Sequence, residues 1–116
     1  MQKVCEDLQS AGVDLEIVIG RFMGNEEMYI KFLKRFMEDE NFQNMQKHYK
    51  QGNVEEAFKA SHTLKGLTAN LGLDGIMVSV AVITEKLRAG IVEGIDELME
   101  QAGKEYEMVV NILKAV

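Results

Sequence analysis

Few side chains in this 116-residue chain could do chemistry, and one of them, His62, stands in a telling setting. It lies in Ala60-Ser61-His62-Thr63-Leu64-Lys65-Gly66-Leu67, inside a stretch whose apolar residues recur with a helical period. On a helix its neighbours are Phe58 at i−4, Lys65 at i+3 and Gly66 at i+4, with Ala69 two turns on. At about 100° per residue, His62 is rotated roughly 120 to 140° from the arc around Ala57, Leu64 and Thr68, so it falls at the solvent margin. Imidazole is a competent nucleophile near neutral pH, with one nitrogen free to attack while the other keeps its proton. Attack on phosphorus gives an N-phosphoryl histidine, an adduct of about two negative charges by analogy with other phosphoryl side chains. Lys65 offsets part of that charge. Glycine in mid-helix costs about 1 kcal/mol relative to alanine, so Gly66 beside an exposed histidine calls for a steric reason. Something bulky needs that space, and Phe58 offers apolar surface on which another protein could rest.

Other chemistry is excluded or unsupported. No Gly-rich phosphate loop and no carboxylate cluster for magnesium stands in the sequence, so the chain lacks the equipment to cleave a nucleotide and needs a partner. Neighbouring carboxylates such as Glu26/Glu27 and Glu55/Glu56 suit helix N-termini and need no catalytic explanation, so an enzyme in the usual sense is not expected. A formal charge of −6 argues against nucleic acid as a partner. Cys5 is the single cysteine, and no Cys/His spacing suits zinc, which fits a reducing compartment and an inert thiol. The most apolar run, Ile76 to Ile83, is far below the roughly 20 residues that span a bilayer, and no signal architecture opens the chain. A soluble, cytoplasmic protein with no cofactor or metal of its own is the expectation. His48, near a helix end without comparable neighbours, is read as solvated or as a helix C-terminal cation.

The elements that must position His62 can be read in order. The composition, 47% apolar without proline, favours one helical domain over residues 1–116. Residues 1–11 form a short helix with Val4 and Leu8 inward, closed by Gly12. Asp14 caps a second short helix carrying Leu15, Ile17, Val18 and Phe22, which Gly20 and Gly24 weaken and end. Asn25 caps a third, whose core stripe is Tyr29, Phe32, Leu33, Phe36 and Met37. Asp39, Glu40 and Asn41 interrupt the pattern, and Phe42, Met45 and Tyr49 resume it, so a kink or short break is expected before Gly52. Asn53 caps the histidine helix, about 53–71, with Glu56 completing a capping box and Val54, Ala57, Ser61, Leu64, Thr68 and Leu71 facing the core. Gly72 ends it, and Asp74 caps the next helix after a tight turn. Residues 76–83 are β-branched enough for a strand, but no second such run exists to pair with them. Ile76, Val80, Ile83 and Leu87 keep helical spacing, leaving Val78 and Val82 to point elsewhere. Gly90 ends this helix, and Ile95, Leu98, Met99, Ala102, Tyr106, Val109 and Leu113 mark a last one in which Gly103 permits close packing. The methionines, including Met23, Met28, Met37, Met77 and Met99, are read as core filling. The whole is an all-α fold, an antiparallel four-helix bundle with one or two short N-terminal helices.

Ala60-Ser61-His62-Thr63-Leu64-Lys65-Gly66, followed by Ala69-Asn70-Leu71-Gly72-Leu73, resembles the motif of the histidine-containing phosphotransfer (HPt) domains of two-component signalling. The pattern of His, Lys and Gly at i, i+3 and i+4 with a second Gly at i+10 carries the resemblance, which extends more loosely over nearly the whole chain. It implies a four-helix bundle whose exposed histidine takes a phosphoryl group from a receiver-domain aspartate and passes it to another, with magnesium and most catalytic groups on the receiver. By position, His62 is then the phosphoacceptor, Lys65 its electrostatic neighbour and Gly66 the clearance for the incoming active site. Phe58 and Ala69 are candidate partner contacts. Family members often place hydrogen-bonding side chains on the following helix near the histidine, and Thr84 and Arg88 stand in that role here, although Thr84 is shorter than the Gln often found there. A receiver domain, with a histidine kinase as a further partner, and a monomeric bundle are expected. Two alternatives stay open: the phosphotransfer domain of a chemotaxis-type histidine kinase, and a helical adaptor that is never phosphorylated.

Overall fold

The computed structural model describes residues 2–115, and every regular element among them is a helix. Met1, counted in the expected first helix, and Val116 lie outside the described residues. In chain order the elements are α1 (Gln2–Ser10), α2 (Leu15–Gly20), α3 (Glu26–Glu38), α4 (Asn41–Lys50), α5 (Val54–Asn70), α6 (Asp74–Ala89) and α7 (Ile95–Lys114).

The N-terminal helices follow the sequence closely, with corrections at their edges. Val4 and Leu8 are buried on α1, and the Asp14 carboxylate accepts the Ile17 N–H at 3.4 Å. Leu15 and Val18 face inward on α2, but Ile17 does not: it is 58% exposed. Phe22 packs from the turn behind α2, its ring 5.5 Å from that of Tyr29. On α3 the Asn25 side chain accepts the Met28 N–H at 3.0 Å. The buried arc there is Tyr29, Ile30, Leu33 and Phe36. An arc centred on Leu33 draws in Ile30 and leaves Phe32 at the margin, where it is exposed rather than part of the core stripe.

The expected break is real, and Asp39 builds it. Its backbone is extended, ending α3, while its carboxylate accepts both the backbone N–H of Asn41 at 2.8 Å and the Asn41 side-chain amide at 3.2 Å. One carboxylate thereby starts α4 where α3 stops.

α5 is the inner strut. Ala57, Ser61, Leu64 and Thr68 are wholly buried, and Ala60 and Leu71 nearly so. Val54, counted with the core, is exposed in the first turn. The capping box does not form: Asn53 occupies the cap position, but its amide lies 3.4 Å from Gln51 Oε1 and from His48 Nδ1, while Glu56 accepts from Lys59. At the far end Gly72 adopts φ +72°, and Leu73 N–H returns to the Thr68 carbonyl at 2.9 Å, closing the helix in the manner of a Schellman turn. Asp74 is the first residue of α6, not its cap; that position is Leu73, without a side-chain bond.

The β-branched run is helical. Ile76, Val80, Ile83 and Leu87 are buried between α5 and α7, whereas Val78 and Val82 are exposed, as their spacing required. Tertiary packing of one face overrides the local strand preference. Contacts across the bundle give the helix directions. Ser61 meets Thr84 while Phe58 meets Arg88, so α5 and α6 run antiparallel. Gln43 reaches Tyr106 while Tyr49 reaches Asp96, so α4 and α7 do too. Gly103 is not needed for close packing, since a Cβ there would meet only Gln46 and Phe42 at about 4 Å. Among the methionines, Met45 and Met99 fill the core, but Met23 and Met28 are exposed, contrary to the core-filling reading. No helix among the described residues is long and apolar enough to cross a membrane.

Candidate functional site

Burial of one arc of α5 decides what its opposite arc presents. With Ala57, Ser61, Leu64 and Thr68 locked inward, His62, Gly66 and Ala69 are exposed and Lys65 is half-buried beside them. These four occupy one face by their i, i+3, i+4 and i+7 spacing. Gly66 has nothing within 4 Å of where a Cβ would stand, so no neighbour in this chain requires it to be glycine. Its backbone is ordinary helix, and the space beside it is open on the exposed face of α5.

Beside His62 stands an aromatic and a cation. The Phe58 and His62 rings stack with centroids 5.9 Å apart and planes 23° from parallel. From α6, the Arg88 guanidinium carbon lies 5.4 Å from the centre of the Phe58 ring, within cation–π range. The Glu85 carboxylate, one turn earlier on α6, lies 3.6 Å from the Arg88 guanidinium. The structure therefore brings His62, Phe58 and Arg88 together, with Lys65, Gly66 and Ala69 on the same exposed face.

Thr84 does not join them. It is wholly buried, 2.8 Å from the Val80 carbonyl and 3.0 Å from Ser61 Oγ, so it touches neither a partner nor the exposed imidazole. A side chain this short, on the inward face of α6, ends at Ser61 and stays beneath the histidine. It links α5 to α6 directly under the site, and Ser61 in turn donates to the Phe58 carbonyl at 2.9 Å. The signal for this pair was the placement of Ser61 on a core arc, where a buried hydroxyl must find a partner.

Arg21 was missed by sequence reasoning. Its guanidinium donates from Nη1 to the carbonyls of Ala69 and Asn70, at 2.8 and 3.1 Å, capping the negative end of α5 from the turn after α2. Nothing local in the sequence signals a contact 48 residues away. His48 plays no part in the site; it closes the α4–α5 turn near Asn53. No group of three or more His, Cys, Asp or Glu among the described residues could hold a metal ion.

The family model for the Hpt domain matches residues 27–112. The chain belongs to the Hpt domain family, whose role is histidine phosphotransfer in phosphorelay signalling. The matched stretch runs from the first turn of α3 into the last turns of α7 and contains Phe58, His62, Lys65, Gly66, Ala69, Thr84 and Arg88; α1, α2 and Arg21 precede it. No curated protein and no solved structure matches the chain.

Proposed function

We propose that the protein is a phosphocarrier in which His62 accepts a phosphoryl group from a receiver-domain aspartate and gives it to another. The observation that carries this reading is an exposed imidazole on a rigid helix, with open space above Gly66 at i+4 and cationic side chains on the same surface. One neutral ring nitrogen attacks phosphorus, an N–P bond forms, and the P–O bond to the aspartate breaks with its electron pair leaving on the carboxylate. The other nitrogen keeps its proton, so the phosphorylated ring is cationic and is itself a good leaving group for the return step. Magnesium and the groups that stabilise the transferring phosphoryl belong to the receiver, and this chain contributes nucleophile, charge and clearance.

In this reading Lys65, one helical turn from His62 on the same face of α5, offsets part of the phosphoryl charge. Gly66 and Ala69 leave room for the receiver's active-site edge, and Phe58 and Arg88 form the rim on the α6 side. Thr84 serves beneath that rim, holding α6 against α5. The reading places the carrier in the cytoplasm and treats one bundle as the working unit.

The test is incubation with a phosphorylated receiver and magnesium. The protein should take up acid-labile, alkali-stable phosphate, and His62→Gln should abolish uptake. Label that persists in His62→Gln would sink the assignment.

A further inference from the structure

An exposed imidazole turns about two side-chain bonds, yet in-line attack needs one nitrogen aimed outward for as much of the time as possible. A hydrogen bond from a neighbouring helix could fix the ring, but the α6 residue lying across from α5 at this level, Thr84, is committed to Ser61 and Val80. Among the described residues no hydrogen bond reaches either ring nitrogen of His62, and the contact its ring does make is with Phe58. That ring is well placed to serve. It is half-buried, packs against the core, and carries the Arg88 guanidinium at 5.4 Å, with Arg88 held in turn near Glu85.

We infer that Phe58 is the positioning residue for His62: its ring braces the imidazole by stacking and so performs the orienting task a hydrogen bond would otherwise perform. The inference rests on the phosphocarrier reading and deepens it. The transfer chemistry is unchanged, since the same N–P bond forms and the same P–O bond breaks. What Phe58 sets is the fraction of time the nucleophile is aimed. Arg88 acts one step further back, by holding the ring that holds the ring. Aromatic stacking at this spacing corresponds to a rate effect of about two- to tenfold.

The experiment compares the wild-type protein with Phe58→Leu, which keeps apolar bulk but removes the flat face, and Phe58→Tyr, which restores it. Two readouts are taken on each. In the first, NMR of the unphosphorylated protein follows the His62 ring protons, whose upfield ring-current shift should vanish in Phe58→Leu and return in Phe58→Tyr. In the second, transfer is measured from a receiver domain phosphorylated with acetyl phosphate in magnesium. The rate at saturating receiver should fall about two- to tenfold in Phe58→Leu and recover in Phe58→Tyr. An unchanged saturating rate overturns the inference, because an altered half-saturating concentration alone marks Phe58 as docking surface only. Unchanged His62 ring signals in Phe58→Leu overturn it as well. If the wild-type protein takes up no phosphate, the carrier reading fails, while the ring signals still decide whether Phe58 orients His62.

Discussion

Gly66→Ala separates what this glycine costs the fold from what it gives a partner. In the free protein a Cβ at residue 66 meets no atom within 4 Å, and the residue sits mid-helix on the exposed face of α5 with no positive φ to relieve. The substitution therefore adds no clash and removes the conformational penalty of glycine, about 0.8 to 1 kcal/mol. For a domain of this size that corresponds to a rise in melting temperature of roughly 3 to 6 °C. In the proposed reading the same methyl group projects into the space a docking receiver occupies. Overpacking a tight contact costs about 1 to 3 kcal/mol, so phosphotransfer should slow by roughly fivefold or more. Thermal and urea unfolding followed by circular dichroism give the first number, and a time course of transfer from a phosphorylated receiver gives the second. A variant that is not stabilised would refute the claim that Gly66 has no role inside the bundle. One that is stabilised and transfers at the normal rate would refute the claim that it provides clearance.

The remaining predictions concern the scaffold. Thr84→Val and Ser61→Ala should each destabilise by about 1 kcal/mol, and the double variant by less than their sum, because both remove the same hydroxyl contact between α5 and α6; a fully additive double-mutant cycle would show that the contact carries no energy. Arg21→Ala should lower stability by about 1 kcal/mol and speed amide hydrogen exchange along residues 15–22, since it removes the bonds that tie the turn after α2 to the end of α5. On the alkaline side, burial, and after it the hydrogen bond to Glu26, pushes the Cys5 thiol from 9.0 up to about 11. Burial also raises the Tyr29 phenol well above its ordinary range. Folding therefore holds protons that the unfolded chain releases. The Cys5 contribution is complete below pH 9 and is lost as pH rises through about 11, whereas that of Tyr29 begins to be lost only above pH 10, so urea midpoints should fall from pH 9 upward and fall less between pH 9 and 11 in Cys5→Ala.

The large-scale plan could be read from the chain because it rests on repeated local signals. The spacing of Ile76, Val80, Ile83 and Leu87 outweighed their strand preference, and the break at Asp39 was visible as a gap in an apolar stripe. The histidine face was legible for the same reason: burial of Ser61, Leu64 and Thr68 fixes where His62, Lys65 and Gly66 must point. Side-chain endings were less accessible. Asn53 has the residue type of a cap but spends its amide on Gln51 and His48, a choice made by the preceding turn and not by the helix it starts. Thr84 was placed at the right level on α6, yet whether a threonine there reaches outward or inward turns on its distance to one buried hydroxyl. Arg21 joins elements far apart in sequence, and only the packed structure brings its guanidinium to the carbonyls at the end of α5.

The most direct measurement is site-resolved. After incubation with a phosphorylated receiver and magnesium, mass-spectrometric fragmentation under alkaline, non-acid conditions should place a single phosphoryl group on His62. Phosphate on His48, on a hydroxyl side chain, or on no residue at all would contradict the account.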